Sequence, residues 1–368
     1  MRHVRLTVMA SLLLVIAGCG PAPKEKLLST LCEASQEGTP LFGHQDDLMY
    51  GHTWNATKED DHSLTRSDVL ETGGAYPYVL GLDLGWLEID SDFNLDGNDF
   101  EIMREAAVKH YERGGIVTLS WHLRNPLTGG DTWDVSSDKV VESILPSGEK
   151  HEYFMGWLER VADYIGSIKD SRGRQIPIIF RPWHEHTGGW FWWGTGVCTA
   201  EQFNELWRMT YDYLVGERKL SQLVWAISPG SAEQNFEAWE ERYPGDEYVD
   251  IVGLDGYCAT YLPQEEAIPL FKENLRYCLE SLNAFAQKHG KILALTETGY
   301  EGLTYDKWWT EVLAPAIEGI PISYLLVWRN TDEMPRGMTH FYAPWPGGPS
   351  EQDFLEYVES GRIKLLEK

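Results

Sequence analysis

Two glutamates, Glu185 and Glu297, stand at the ends of apolar runs, where paired carboxyl chemistry becomes possible. Glu185 lies in Arg181-Pro182-Trp183-His184-Glu185-His186, after the run Ile176-Pro177-Ile178-Ile179-Phe180 and before Gly188-Gly189-Trp190-Phe191-Trp192-Trp193. Glu297 follows Ala294-Leu295-Thr296. Two carboxyl groups facing one substrate can divide the work. One is protonated and donates to a leaving oxygen; the other is ionised and attacks carbon. Retaining glycosidases hold such a pair about 5–5.5 Å apart across the anomeric carbon. An apolar, Trp-rich surround raises a carboxyl pKa, so Glu185 is expected to be the general acid/base. Glu297 sits tight against an apolar run, where hydrogen-bond donors can hold it ionised, and is expected to be the nucleophile. The ordinary state of a glutamate is an exposed surface carboxylate, which suits a residue directly after an apolar strand poorly.

The elements that would position these groups recur along the chain. Short apolar runs occur at residues 40–43, 76–84, 116–121, 176–180, 223–227, 250–254, 291–296 and 322–328. Helical candidates lie between and after them, at 63–72, 99–113, 152–169, 199–217, 233–241, 265–289, 305–318 and 351–359. Residues 152–169 carry Phe154, Trp157, Val161, Tyr164 and Ile168 at helical spacing, and Thr199-Ala200-Glu201-Gln202 is close to a capping box. Eight runs alternating with helices predict an α/β fold, a single (β/α)8 TIM barrel with enlarged βα loops. A doubly wound sheet usually has a glycine-rich first βα turn, and none is seen.

A barrel gathers its strand ends at one mouth. The runs end in Gly43-His44-Gln45-Asp46, Ser120-Trp121-His122, Trp183-His184-Glu185, Asp255-Gly256-Tyr257, Glu297-Thr298-Gly299 and Trp328-Arg329-Asn330. A lone His or Trp at such a place is most often structural; the joint pattern carries the argument. Sugars present apolar C–H faces and hydroxyl edges, which aromatic platforms with polar clamps fit.

The stretch Arg181 to Glu185 with Gly188 to Trp193 resembles glycoside hydrolase family 26, whose best-known members are retaining β-mannanases. The similarity runs from Phe42-Gly43-His44 to Trp328-Arg329-Asn330. The resemblance implies a (β/α)8 barrel with its acid/base on strand four and its nucleophile on strand seven, matching Glu185 and Glu297. Most of that superfamily has Asn before the acid/base; this family has His, here His184. The resemblance further implies that His184 bonds the sugar near its 2-hydroxyl. It places His122 and Tyr257 at the subsite of cleavage, Trp190 stacked beside it, Trp328 beneath the catalytic sugar and Arg329 on the next sugar. His44, Gln45 and Trp133 are looser candidates, and His186 departs from the family pattern. The implied substrate is β-mannan or manno-oligosaccharides, cleaved at β-1,4 linkages by an endo action or by mannobiose release, with no cofactor and no metal. A monomer is expected.

Composition narrows the partners. Lys and Arg number 31 against 57 Asp and Glu, a formal net charge of −26. Nucleic acid and anionic membranes would be repelled, whereas a neutral polysaccharide would not. Residues 1–18 read as a signal peptide: Met1-Arg2-His3-Val4-Arg5 is basic, and the apolar stretch after it is short for a permanent membrane span. Ala17-Gly18-Cys19 resembles a bacterial lipobox, which implies cleavage before Cys19 and a lipid on its sulfur. Residues 19–26 are expected to be a tether and 27–368 the catalytic barrel. The protein would then be exported and held on a bacterial membrane by its lipid alone. Cys32, Cys198, Cys258 and Cys278 allow three disulfide pairings, or none.

Three rival readings exist. His122, His184, His186, Asp255 and Glu297 contain metal-ligating types, but His184-Glu185-His186 is not HExxH. A lipid-anchored glycan-binding protein without activity would suit the aromatics, but not the matched glutamates. The same mechanism on β-1,3-xylan or mixed-linkage β-glucan is the third.

Overall fold

The computed structural model describes residues 22–58, 63–231, 236–331 and 339–367. Eight parallel strands form the frame: β1 (Leu41–Gln45), β2 (Val79–Asp83), β3 (Ile116–Ser120), β4 (Ile178–Arg181), β5 (Leu223–Ile227), β6 (Ile251–Val252, then Asp255–Tyr257), β7 (Ile292–Leu293, then Leu295–Gly299) and β8 (Tyr324–Val327). Each pairs with the next from β1 to β8. Leu41, Phe42, Gly43 and His44 of β1 pair with Tyr324, Leu325, Leu326 and Val327 of β8, which closes the ring. This is the expected (β/α)8 barrel.

Alternation along the strands sorts side chains between two apolar regions. Leu80, Leu82, Val117, Leu119, Ile178, Phe180, Trp225 and Ile227 face the helices. Leu41, Val79, Ile116, Ile179, Val224, Ile251 and Tyr324 face the barrel interior. Ile179 points inward, so two residues later Arg181 does too, at the mouth.

The helices are α1 (Pro23–Glu37), α2 (Asp68–Gly73), α3 (Phe100–Glu112), α4 (Val140–Ile144), α5 (His151–Ser167), α6 (Ala200–Tyr211), α7 (Gln264–His289), α8 (Ala314–Ile317) and α9 (Glu351–Glu359). Asp99 caps α3 by accepting from the Glu101 and Ile102 amides, and Thr199 with Gln202 forms the expected capping box on α6. The segment 305–318 is a wide π turn, Trp308–Leu313, running into α8. Pro315 follows it, and a proline ring clashes with the carbonyl four residues back in a regular helix.

α1 was not foreseen, and residues 23–26, assigned to the tether, are its first turn. Pro23 suits the first helical position, where no N–H is needed. Leu27, Leu31 and Ala34 pack on the interior residues at the starts of the strands, so α1 seals the end of the barrel opposite the mouth. Lys24 Nζ bonds Asp250 Oδ2 at 2.8 Å and Ser35 Oγ donates to Pro321 O at 2.7 Å, fixing both ends. Cys19 and the signal segment lie outside the described residues. Cys32, Cys198, Cys258 and Cys278 are thiols, none joined in a disulfide. Among the described residues no helix is long and apolar enough to cross a membrane.

Candidate active site

β4 delivers the first carboxyl through a strained exit. Trp183 and Glu185 have φ of 54° and 51°, a left-handed conformation that costs a non-glycine residue about 1–3 kcal/mol. Packing holds it there. Trp183 is fully buried against Trp121, Phe154, Trp192 and Trp193. Trp193 Nε1 donates to His184 O at 2.8 Å, and the Glu185 amide donates to Ser228 O, just beyond β5, at 2.8 Å. Most of the tryptophan-rich loop is therefore core, and Trp190 alone of its four indoles is exposed.

Trp190 Nε1 donates to Glu185 Oε2 at 2.6 Å. Gly188 permits this: a Cβ there would stand 2.3 Å from the Trp190 ring. Burial, then the charges of Glu297 and Asp255, push the Glu185 carboxyl up to about 8, against the pull of Trp190 and His122. Glu185 is thus protonated at neutral pH, as a proton donor must be.

Glu297 lies within β7, in register with Asp255 of β6. The pairing of β7 with β8 slips between Leu295 and Thr298, and such irregularities re-aim side chains near active sites. Arg181 Nη2 donates to Glu297 Oε1, and Tyr257 Oη donates to Oε2 at 2.6 Å. Both partners address it as a carboxylate. Arg181 also donates to Asp255 Oδ2 at 2.9 Å and to Ser228 Oγ at 3.1 Å. Asp255 accepts further from Ser228 and Thr296 hydroxyls at 2.7 and 2.6 Å. Burial and Glu297 push Asp255 up to about 7, with Arg181 opposing.

The two carboxyls meet in a cavity of about 300 Å³, whose lining also includes His122, Trp133, Tyr257, Trp328 and Arg329. A second cavity of about 500 Å³ shares Glu185, Trp190, Tyr257 and Tyr342 with it but does not reach Glu297. Glu185 thus stands at a waist between two spaces. Arg329 pairs with Asp96 and lies near Tyr50 Oη at 3.5 Å. Trp133 is 51% exposed and stacks on His122 at 5.9 Å between centroids.

Four residues singled out in the sequence lie elsewhere. His184, expected on the sugar, is buried behind His122; their Nε2 atoms are 3.0 Å apart, and its ring lines neither cavity. His44 is fully buried, with Nδ1 2.7 Å from Asp47 Oδ1, and Gln45 is buried beside it. Both belong to β1, where alternation turns His44 with Phe42 toward the helices, and neither lines either cavity. His186 is buried against Phe203 at 4.6 Å, and burial first, then Arg242, holds its pKa far below the usual imidazole value.

Asp83, Asp96, Phe191, His340 and Tyr342 were not anticipated. Asp83 ends β2 and could have been found by the strand-end rule that found the others; Asp96 and Tyr342 lie on loops without a pattern. Among the described residues no three of His, Cys, Asp and Glu converge in a way that could hold a metal ion.

Comparison with known proteins agrees with this geometry. Residues 24–292 match the model of glycosyl hydrolase family 26. A GH26 β-mannanase of Bacteroides ovatus shares 43% identity over 94% of this chain and 96% of its own, with a TM-score of 0.86. A modular endo-β-1,4-mannanase of Cellulomonas fimi superposes with a TM-score of 0.79 at 30% identity, over 94% of this chain and 75% of its own. A mannan endo-1,4-β-mannosidase of Bifidobacterium adolescentis is 31% identical over 88% of this chain, which spans only 33% of that relative's length. With its barrel, its paired carboxyls and these similarities, the chain belongs to glycosyl hydrolase family 26.

Proposed function

We propose that the chain hydrolyses β-1,4-mannosidic linkages in mannan, glucomannan or galactomannan by double displacement. The observation that carries this is the unlike treatment of two carboxyls in one cleft. Glu185 is desolvated and protonated beside the indole N–H of Trp190; Glu297 is addressed by a guanidinium and a phenol. Glu297 attacks the anomeric carbon while Glu185 protonates the leaving oxygen. Glu185, then ionised, draws a proton from water, which releases the sugar with its configuration retained. Only the smaller cavity contains Glu297, so it takes the sugar that is attacked, over Trp328 and near Arg329. The larger cavity receives the departing chain. Relatives named as mannan endo-1,4-β-mannosidases support mannan as the polymer.

The test is reducing-sugar release from linear mannan, galactomannan, β-1,3-xylan and mixed-linkage β-glucan, with early anomers followed by NMR. Release from the mannans as the β-anomer, lost in Glu185→Ala and Glu297→Ala, is expected. Initial inversion would remove Glu297 as nucleophile, and unchanged activity in both variants would remove the pair altogether.

Export with a lipid on Cys19 is part of the same proposal and rests on the residues before Pro23. Mass spectrometry of the membrane-extracted N-terminus tests it. Action as a monomer is supported by the presence of both carboxyls in one chain, and light scattering of the delipidated protein tests it.

A further inference from the structure

Asp83 takes no part in the reaction described above, yet it is one of the most heavily bonded groups in the molecule. Fully buried at the end of β2, its Oδ1 accepts from the Gly85 amide at 2.7 Å and the His122 amide at 3.2 Å. Its Oδ2 accepts from Ser120 Oγ at 2.6 Å and faces His122 Nδ1 at 2.7 Å. A carboxylate with several donors is fixed as an anion. Although burial alone would raise it, His122 and the other donors hold Asp83 down at about 2.

This leaves one undetermined proton in the site. With its Nδ1–H committed to Asp83, His122 turns its Nε2 to His184 Nε2, 3.0 Å away. Two imidazole nitrogens at that distance need one proton between them. The surroundings of the two rings differ. His122 meets Asp83 from β2, Asp96 from the loop after it and Glu297 from β7, all acidic. Glu185 lies across the cleft from it, and Trp133, Phe191 and Trp328 complete its walls. His184 meets no carboxylate partner among its bonds. Burial, His122, Arg181 and His186 all disfavour charge on it, and its Nδ1 is buried without a hydrogen-bond partner.

We infer that Asp83 is a positioning residue that keeps His122 as an imidazolium, a fixed cation on the cleft floor whose Nε2–H is accepted by His184. The proposal rests on the hydrolytic reading above for its kinetic consequence only. The cation faces both reacting carboxyls. It favours the charge on Glu297 and restrains the upward displacement of Glu185. His184 then belongs to the floor's support: it accepts the proton that would otherwise turn toward substrate, and it sets the ring's direction. Of the contributions to His122, burial is the largest and lowers its pKa; Asp83, through charge and hydrogen bond, and then Glu297 and Asp96 outweigh it and leave it raised.

Nitrogen-15 NMR of imidazole-labelled full-length barrel tests this without any variant. Coupling across the Nε2–H···Nε2 bond picks out the pair, and the one-bond N–H coupling shows which ring holds the proton. At pH 7 the expected result is one ring protonated at both nitrogens and coupled to a neutral partner protonated at Nδ1 only. A neutral His122, with the shared proton on His184 Nε2, overturns the proposal. Kinetics supply the second reading. Asp83→Asn keeps the shape and removes the charge. We expect it to lower kcat about tenfold or more with little change in KM, and to move the alkaline limb of the pH profile upward. Ser120→Ala, which removes one bond and keeps the charge, should shift the limb less and in the same direction. An Asp83→Asn enzyme with an unmoved limb overturns the role in tuning. Because the NMR reading needs no turnover, it stands or falls separately from the mannan assignment.

Discussion

Trp190 meets Glu185 through the edge of its indole, a contact separate from the sugar stacking that the family resemblance implies. A proton donor at about 8 must lose its proton as the pH rises through that value, and kcat is expected to fall on the alkaline side near there. Glu185→Gln should reduce kcat about 10²–10⁴-fold on substrates with poor leaving groups and abolish that limb. Stability gives an independent reading. The folded carboxyl keeps its proton up to about 8, while an unfolded one releases it near 4.5. Between those values the folded state binds the extra proton, so this group's contribution becomes less favourable as the pH rises. Thermal midpoints of Glu185→Gln against the parent, measured at pH 5 and pH 8.5, should therefore favour the variant more at pH 8.5. Tyr257→Phe removes one of the two donors to Glu297; a bond to a charged group is worth about 1.5–3 kcal/mol, and kcat should drop about 10- to 100-fold with the fold intact by circular dichroism. The proposed catalytic pair, which the fold brings into one cleft, was legible because each glutamate follows an apolar run. His184 does not line the cavity because a neighbouring ring, His122, fronts the cleft in its place, and His44 does not because alternation along β1 turns it with Phe42 toward the helices. Asp83 carries the same strand-end mark as the rest, but its pairing with His122 shows only once the two strand ends lie side by side.

At the scale of elements, the barrel strands were readable from short apolar runs, and the helices from their spacing and caps. The interruption of β6 and β7 was not, because it depends on how neighbouring strands register around a closed ring. β7 consequently extends past the predicted run and carries Glu297 inside it. The loop after β4, expected to be an apolar surround for Glu185, is mainly a packed tryptophan wedge that braces a strained turn. Gly188→Ala tests the bond that the loop's one exposed indole makes to Glu185. The added methyl would collide with Trp190, so the indole must leave Glu185, and the alkaline limb should move upward as a stabilising bond to the carboxylate is lost. An unmoved limb would contradict the role given to Trp190. Pro21, Ala22 and Pro23 have the composition of a linker, which masks the start of α1 in the sequence. Its burial at the barrel's closed end makes it structural. Leu31→Ala, at a fully buried site, should cost about 2–5 kcal/mol in urea denaturation while leaving KM for mannan unchanged.

The whole molecule carries a formal charge of −26, a field that would slow an anionic substrate and leave a neutral one indifferent. Raising the ionic strength from low salt to 0.5 M should alter kcat/KM on mannan less than twofold, since steering acts only on charged partners. A strong salt dependence would point to a charged glycan. Sealing the barrel with α1 gives the molecule a front and a back. Pro23, where α1 starts, emerges at the back, and four peptide steps from Cys19 to Pro23 span at most about 14 Å. If Cys19 carries the proposed lipid, so short a leash lays the blunt end of the barrel along the bilayer and turns the open end outward. A polysaccharide then approaches from the aqueous side, with no part of the membrane between it and the reacting pair.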